Sequence, residues 1–133
     1  MHYVWVYLAT LPFAFAIDML WLGVVARGLY QEKLAHLLAP TINWPVAVAF
    51  YLIFIAAVIF FAVVPGVAAQ SFVRAVLLGA LLGFVAYATY DLTNWSTLKD
   101  WPMSVAVVDM LWGTVLSASV AGWGYWMTSL LAH

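Results

Sequence analysis

Four apolar runs, each long enough to cross a bilayer, constrain this chain more than any other feature. A span needs about 20 mainly apolar residues at helical rise. The runs cover about 3–26, 44–64, 72–92 and 102–131 of the 133 residues. In lipid every backbone N–H and C=O must be satisfied within the protein, which leaves helices or a closed barrel. Runs this long and unalternating read as helices. The expected fold is therefore all-α: an integral-membrane four-helix bundle, one transmembrane domain over 1–133. Hydrophobic residues make up 68% of the chain and charged ones only 7%, too few to cover a soluble surface. The net charge of −1 gives no basic field, so nucleic acid is not an expected partner. With no cysteine, disulfides and thiol catalysis are excluded.

The runs end on recognisable signals. The first stops at Arg27-Gly28, the second at Pro65-Gly66, the third at Thr93-Asn94, and the fourth opens at Pro102. Tyr3, Trp5, Trp44, Trp95, Trp101, Trp123, Tyr125 and Trp126 sit near span ends, the aromatic-belt pattern. The first run lacks a basic leader and is interrupted by Asp18, so it reads as a retained helix rather than a cleaved signal. The turn 64–71 is short and implies an antiparallel hairpin, and Thr93–Trp101 reads as a short polar loop. Between spans one and two, Tyr30, Leu34, Leu37 and Leu38 form an apolar stripe, with Gln31, Glu32, Ala35 and His36 off it. That spacing predicts a short helix lying in the membrane interface.

Asp-Met-Leu-Trp occurs twice, as Asp18–Trp21 and Asp109–Trp112, both times inside a span. An aspartate at a membrane helix centre costs roughly 2.5–3.5 kcal/mol on insertion scales. Odd spans cross one way and even spans return. Asp18, late in span one, and Asp109, early in span four, therefore both lie roughly 10–12 Å below the same surface at helical rise. Asp91, Tyr51, Tyr87, Tyr90, Asn94, Trp21 and Trp112 belong to that leaflet too. Small residues recur at i+4 beside the acids: Thr10 and Ala14 with Asp18; Ala75, Gly79 and Gly83 with Tyr87 and Asp91; Gly113, Ser117 and Ala121 with Asp109. Such rows mark helix–helix faces in lipid.

The expectation is a polar pocket in which Asp18, Asp91 and Asp109 converge. Tyr51, Tyr87, Tyr90, Thr93 and Asn94 would wall it, and Trp21 and Trp112 would pack against it. Three carboxylates together would not all be ionised without a cation. Arg27 and Lys99 are candidate partners, and a hard divalent metal is another. Zinc is not indicated, because no histidine falls in the pocket: His2 and His133 are terminal and His36 is in a loop. The blander reading makes the acids helix glue, with Asp91 capping the turn Asp91–Asn94. Interhelical hydrogen bonds in membranes average only about 0.6 kcal/mol, small against the insertion cost of three aspartates. No GxSxG, P-loop or HExxH motif is present, and the serines have no histidine at triad-like spacing, so no catalytic residue or cofactor is identified.

Asp18–Gly23, Phe50-Tyr51-Leu52, Tyr87-Ala88-Thr89-Tyr90-Asp91-Leu92-Thr93-Asn94, Trp101-Pro102 and Asp109–Gly113 resemble a bacterial family of predicted membrane proteins, domain of unknown function 2177. The resemblance covers nearly the whole chain. It implies a small multi-pass protein of the bacterial inner membrane and brings no activity with it. Arg27, Lys33 and Lys99 at the acidic end, against Arg74 at the other, place that end in the cytoplasm and both termini outside. The leading functional expectation is binding, transport or modification of a small or amphiphilic molecule or cation. The alternative is a non-catalytic subunit of a larger membrane complex. A channel is disfavoured because polarity stops midway across the membrane.

Overall fold

The computed structural model describes residues 2–131, and His133 lies outside them. The described chain is helical, without a strand. In order come α1 (His2–Val25), α2 (Arg27–Lys33), α3 (Trp44–Ala68), α4 (Phe72–Thr97) and α5 (Met103–Leu131). All but α2 are long and apolar enough to cross a membrane. Local chemistry explains their starts. The Asn43 side chain accepts from the Val46 N–H at 3.3 Å, with Pro45 in the first turn of α3. Ser71 Oγ accepts from the Arg74 N–H at 3.0 Å and opens α4. The two tight connections turn on Gln70 and Asp100, whose φ angles are 52° and 62°.

Two helices carry a wide turn. Trp21–Val25 at the end of α1 and Ile59–Val63 within α3 are wound as π-helix. In the first, the Ala26 N–H reaches back to the Trp21 carbonyl at 2.7 Å. A π turn and a proline both leave an i→i−4 bond unmade, so α3 passes through Pro65 instead of stopping there. α4 likewise continues beyond Leu92. Ser96 and Thr97 hydroxyls fold back onto the Thr93 carbonyl at 2.8 and 2.7 Å, satisfying polar groups within the helix. Thr93 and Asn94 are therefore helical, and Asp91 lies inside α4 rather than capping a turn.

Many large apolar side chains point outward along every long helix, as lipid contact requires; α1 and α4 bury mainly small residues, while α3 buries Phe54, Ile55 and Val58. In α1 the buried residues are Val6, Thr10, Ala14 and Asp18, a single i+4 row. In α4 they are Ala75, Gly79, Gly83 and Asp91. A Cβ on Gly79 would come 2.5 Å from that of Ala121 and 2.7 Å from the Ser117 carbonyl oxygen. A Cβ on Gly83 would collide with Ser117 and the Gly113 carbonyl. α4 and α5 thus touch backbone to backbone. Farther along, Gly113 makes room for the Tyr87 ring. At the opposite end from the acids, Phe13 stacks on Trp123 at 4.3 Å, and Trp123 Nε1 donates to the Ala9 carbonyl at 3.3 Å.

α2 departs from its expected role. Its inner side packs on the bundle, where Leu34 is buried with Trp101, Val105 and Ala106 beside Tyr30. Leu37 and Leu38, the rest of the stripe, lie past the helix end and are half exposed. The stripe from Tyr30 to Leu38 needs more than two helical turns, and α2 closes after Lys33.

Candidate functional site

The two Asp-Met-Leu-Trp copies meet across the bundle and exchange partners. The Trp112 indole N–H donates to Asp18 Oδ1 at 2.8 Å. The Trp21 indole N–H donates to the Tyr30 hydroxyl at 3.1 Å, which in turn donates to Asp109 Oδ1 at 2.7 Å. The tryptophan of each copy therefore serves the aspartate of the other, once directly and once through Tyr30. Between the two acids the indoles stack, centroids 4.6 Å apart and planes within 5°. Asp18 Oδ2 accepts a second bond from the Tyr51 hydroxyl. Asp18 thus ties α1 to both α3 and α5, and Asp109 ties α5 to α2.

Helical geometry produces this exchange. Each tryptophan lies three positions after its aspartate, just short of one turn, so both project from one face. The helices run antiparallel, so each acid stands level with the other helix's indole. Trp21 is also the first residue of the π turn, and the chain re-enters α2 within a few residues. That short path brings Tyr30 back over Asp109. Burial pushes the Tyr30 hydroxyl above the ordinary tyrosine value; the bond from Trp21 opposes this, and the charge of Asp109 reinforces it. Tyr30 is accordingly a donor to the carboxylate throughout the neutral range.

Asp91 is different. It is 0% exposed, and neither carboxyl oxygen meets a donor among the described residues. The carboxyl of Asp109 is its charged neighbour. Two carboxylates are both acceptors, so Asp109 supplies Asp91 with no donor. Beside the pair opens a cleft of about 300 Å³, lined by Phe50, Ala86, Tyr87, Tyr90 and Asp109. The Tyr87 and Tyr90 hydroxyls make no hydrogen bond among the described residues. Tyr90 packs edge-on against Trp101 at 5.8 Å, and Trp101 Nε1 is buried without a partner.

Of the residues expected from sequence, Asp18, Trp21, Tyr51, Asp109 and Trp112 join the hydrogen-bonded network. Tyr87 and Tyr90 line the cleft, and Asp91 lies buried behind Asp109. Asn94 stands on α4 one turn beyond Tyr90, outside both groups. The three acids do not form one cluster. Asp18 is held by Tyr51 and Trp112, Asp109 and Asp91 are neighbours, and no group of three His, Cys, Asp or Glu among the described residues could hold a metal. Arg27 and Lys99 are exposed and do not pair with the acids, whose partners are tyrosine and tryptophan. A cationic side chain in the membrane interior would carry its own burial cost, which a phenol or indole donor avoids.

Sequence reasoning missed Tyr30, Phe50 and Ala86. Tyr30 was legible in part: it is the one member of the 30–38 stripe with a polar tip, nine residues after Trp21. Phe50 and Ala86 had no chemical signal.

Comparison with known proteins gives one family. A family model described as predicted membrane protein (DUF2177) matches residues 3–126. No curated protein and no solved structure matches the chain.

Proposed function

The chain belongs to this family of predicted membrane proteins (DUF2177), and we propose that the acidic end of its bundle binds a small amphiphilic molecule or cation within the bilayer. The observation that carries this reading is the cleft of about 300 Å³ with Asp109 in its wall and the partnerless Asp91 behind it. Apolar walls with a few convergent polar groups are the usual build of a small-molecule site, and this volume is at the lower end of the usual range. A purely structural carboxyl would be expected to have donors, as Asp18 does.

The roles divide as follows. Asp109 and Asp91 supply acceptor charge, and Phe50, Tyr87 and Tyr90 supply an aromatic wall with free hydroxyls. Asp18, Tyr51, Trp112, Trp21 and Tyr30 hold the walls in place. The chain would sit in a bacterial inner membrane with this end cytoplasmic, supported by Arg27, Lys33 and Lys99 near it.

Native mass spectrometry on protein extracted in mild detergent tests the reading. The expected result is a small-mass adduct, lost when Ala86→Trp fills the cleft and kept when the outward-facing Leu111 is replaced by alanine. Absence of any adduct, with a stoichiometric protein partner in its place, would support an accessory subunit instead.

A further inference from the structure

We propose that the first half of α3, Trp44–Val58, is a hinged wall of the cleft. It pivots on the π turn Ile59–Val63, is latched to α1 through Tyr51 and Tyr7, and swings toward α4 to close the mouth. The inference rests on the binding reading above and adds how that cleft opens and shuts. Packing along α3 locates the moving part. Ile55, Val58, Ala62, Val63 and Gly66 are built into the bundle. At the far end a Cβ on Gly66 would come 2.5 Å from that of Ala75, so α3 and α4 are pinned together there. From Trp44 to Ile53, by contrast, only Ala47 and Tyr51 are partly buried and the rest are exposed. Space flanks this stretch on both sides. The cleft of about 300 Å³ separates Phe50 from Tyr87 and Tyr90 of α4. A groove of about 380 Å³ lies between Leu8, Pro12 and Phe15 of α1 and Val48 and Tyr51. The two helices come together at Phe54, which stands edge-on to Tyr87 at 6.2 Å.

The π turn supplies the joint. A wide turn leaves an i→i−4 bond unmade and is one of the few recognised places where a helix kinks. This one lies between the pinned end and the uncovered end of α3. Phe50 stands about 11 residues, or about 16 Å, from Phe61 at helical rise. A bend of about 20° would carry its ring by about 5 Å, enough to cross the mouth of a cleft this size.

Two hydrogen bonds form the latch. The Tyr51 hydroxyl donates to Asp18, and the Tyr7 hydroxyl donates to the Leu52 carbonyl at 2.8 Å. Phe15 adds a ring edge against Tyr51 at 5.6 Å. Asp18 cannot follow α3, because the Trp112 indole holds its other oxygen at 2.8 Å. The wall is therefore tethered to α1 and held off α4. Interhelical hydrogen bonds in membranes are individually weak, so a latch of two can release. Release lets Phe50 close on Tyr87 and Tyr90, a contact that aromatic rings favour. Phe50 and Tyr90 are about half exposed on spanning helices, so the open mouth faces lipid and an apolar tail can enter from there.

The chain has no cysteine, so introduced cysteine pairs take spin labels without background. Double electron–electron resonance on the full chain in lipid nanodiscs, with no ligand added, tests the hinge on two pairs of exposed sites. Val46→Cys with Leu92→Cys reports the moving half, and Ala68→Cys with Leu81→Cys reports the pinned end. When Tyr7→Phe and Tyr51→Phe remove the latch, the first distance is expected to shorten by about 5 Å while the second stays as in wild type. An unchanged first distance overturns the hinged wall, and a longer one overturns closure toward α4. Movement of both pairs together means that α3 shifts as a rigid rod, which overturns the pivot. If the double variant does not fold, Tyr51→Phe alone, measured on the same pairs, decides. A fixed wall leaves the binding reading to its adduct measurement, and a moving wall without any adduct sinks that reading while the hinge stands.

Discussion

One row of α4 makes two kinds of contact with α5. Along Ala75, Gly79 and Gly83 the row is small, and the helices meet backbone to backbone against Ser117 and Ala121. At Tyr87 the row turns large, its ring lies over Gly113, and a cleft opens beside it before Asp91. The first stretch leaves no volume for anything else. The second leaves volume, and lines it with acceptors and aromatic rings. Close packing in lipid comes from small residues that let backbones approach. A membrane bundle that keeps one end of this row small and makes the other end large therefore separates a closely packed seam from a cleft along one helix face.

Substitutions can break this contrast in a graded way. Gly83→Val is expected to have the largest effect, destabilising by about 3 kcal/mol or more, because the clash is with the Gly113 carbonyl and Ser117 rather than a flexible tip. Loss of folded protein in detergent checks it; a fully stable variant would show that the seam can part. Asp18→Leu strands the Tyr51 hydroxyl and the Trp112 N–H together, and a loss of roughly 2 kcal/mol is expected in reversible unfolding. Asp91→Leu should move the other way. Removing a buried carboxyl without donors is expected to stabilise by about 1–2 kcal/mol while ligand binding disappears. A destabilised Asp91→Leu protein would mean that the carboxyl is glue after all. Asp109→Asn is expected to lose ligand binding with expression and fold nearly intact, since the amide oxygen still accepts from Tyr30.

The smallest effect is expected at Tyr30. Tyr30→Phe removes two interhelical hydrogen bonds, each worth about 0.6 kcal/mol in membranes. Its pH dependence has a definite sign. The folded-state value lies above the unfolded one, so the contribution is full below the ordinary tyrosine value of about 10 and fades as pH rises through the higher folded value. Comparing unfolding of wild type and Tyr30→Phe across alkaline pH measures this. A difference that vanished already near neutrality would remove Tyr30 from the network.

Much of the site was legible because membrane helices make polar residues costly and antiparallel topology makes depth countable. Asp18 and Asp109 stand at similar depth on spans of opposite direction, and the i+4 rows beside them are the buried faces. What resisted reading was angular and local. Asn94 shares the leaflet but not the cleft, and sequence depth alone cannot separate the two. The end of α4 was misread because Ser and Thr, polar in composition, close their hydroxyls on the helix's own carbonyls.

The sequence by itself determined a multi-pass helical membrane protein, the rows on which its helices meet, and the leaflet that carries its acids. Length, hydropathy and the 3.6-residue period suffice for those, since each is a property of single helices in lipid. Only the tertiary structure decided who bonds to whom. The exchange of tryptophans between the two Asp-Met-Leu-Trp copies depends on the relative rotation of α1 and α5. The entry of Tyr30 depends on the π turn that swings α2 back over the bundle. Asp91 meets no donor: Tyr30 and Trp112 are committed to the other acids, and Tyr87 and Tyr90 line the cleft. Rotation and return path arise from how the helices pack together, and no single span encodes them.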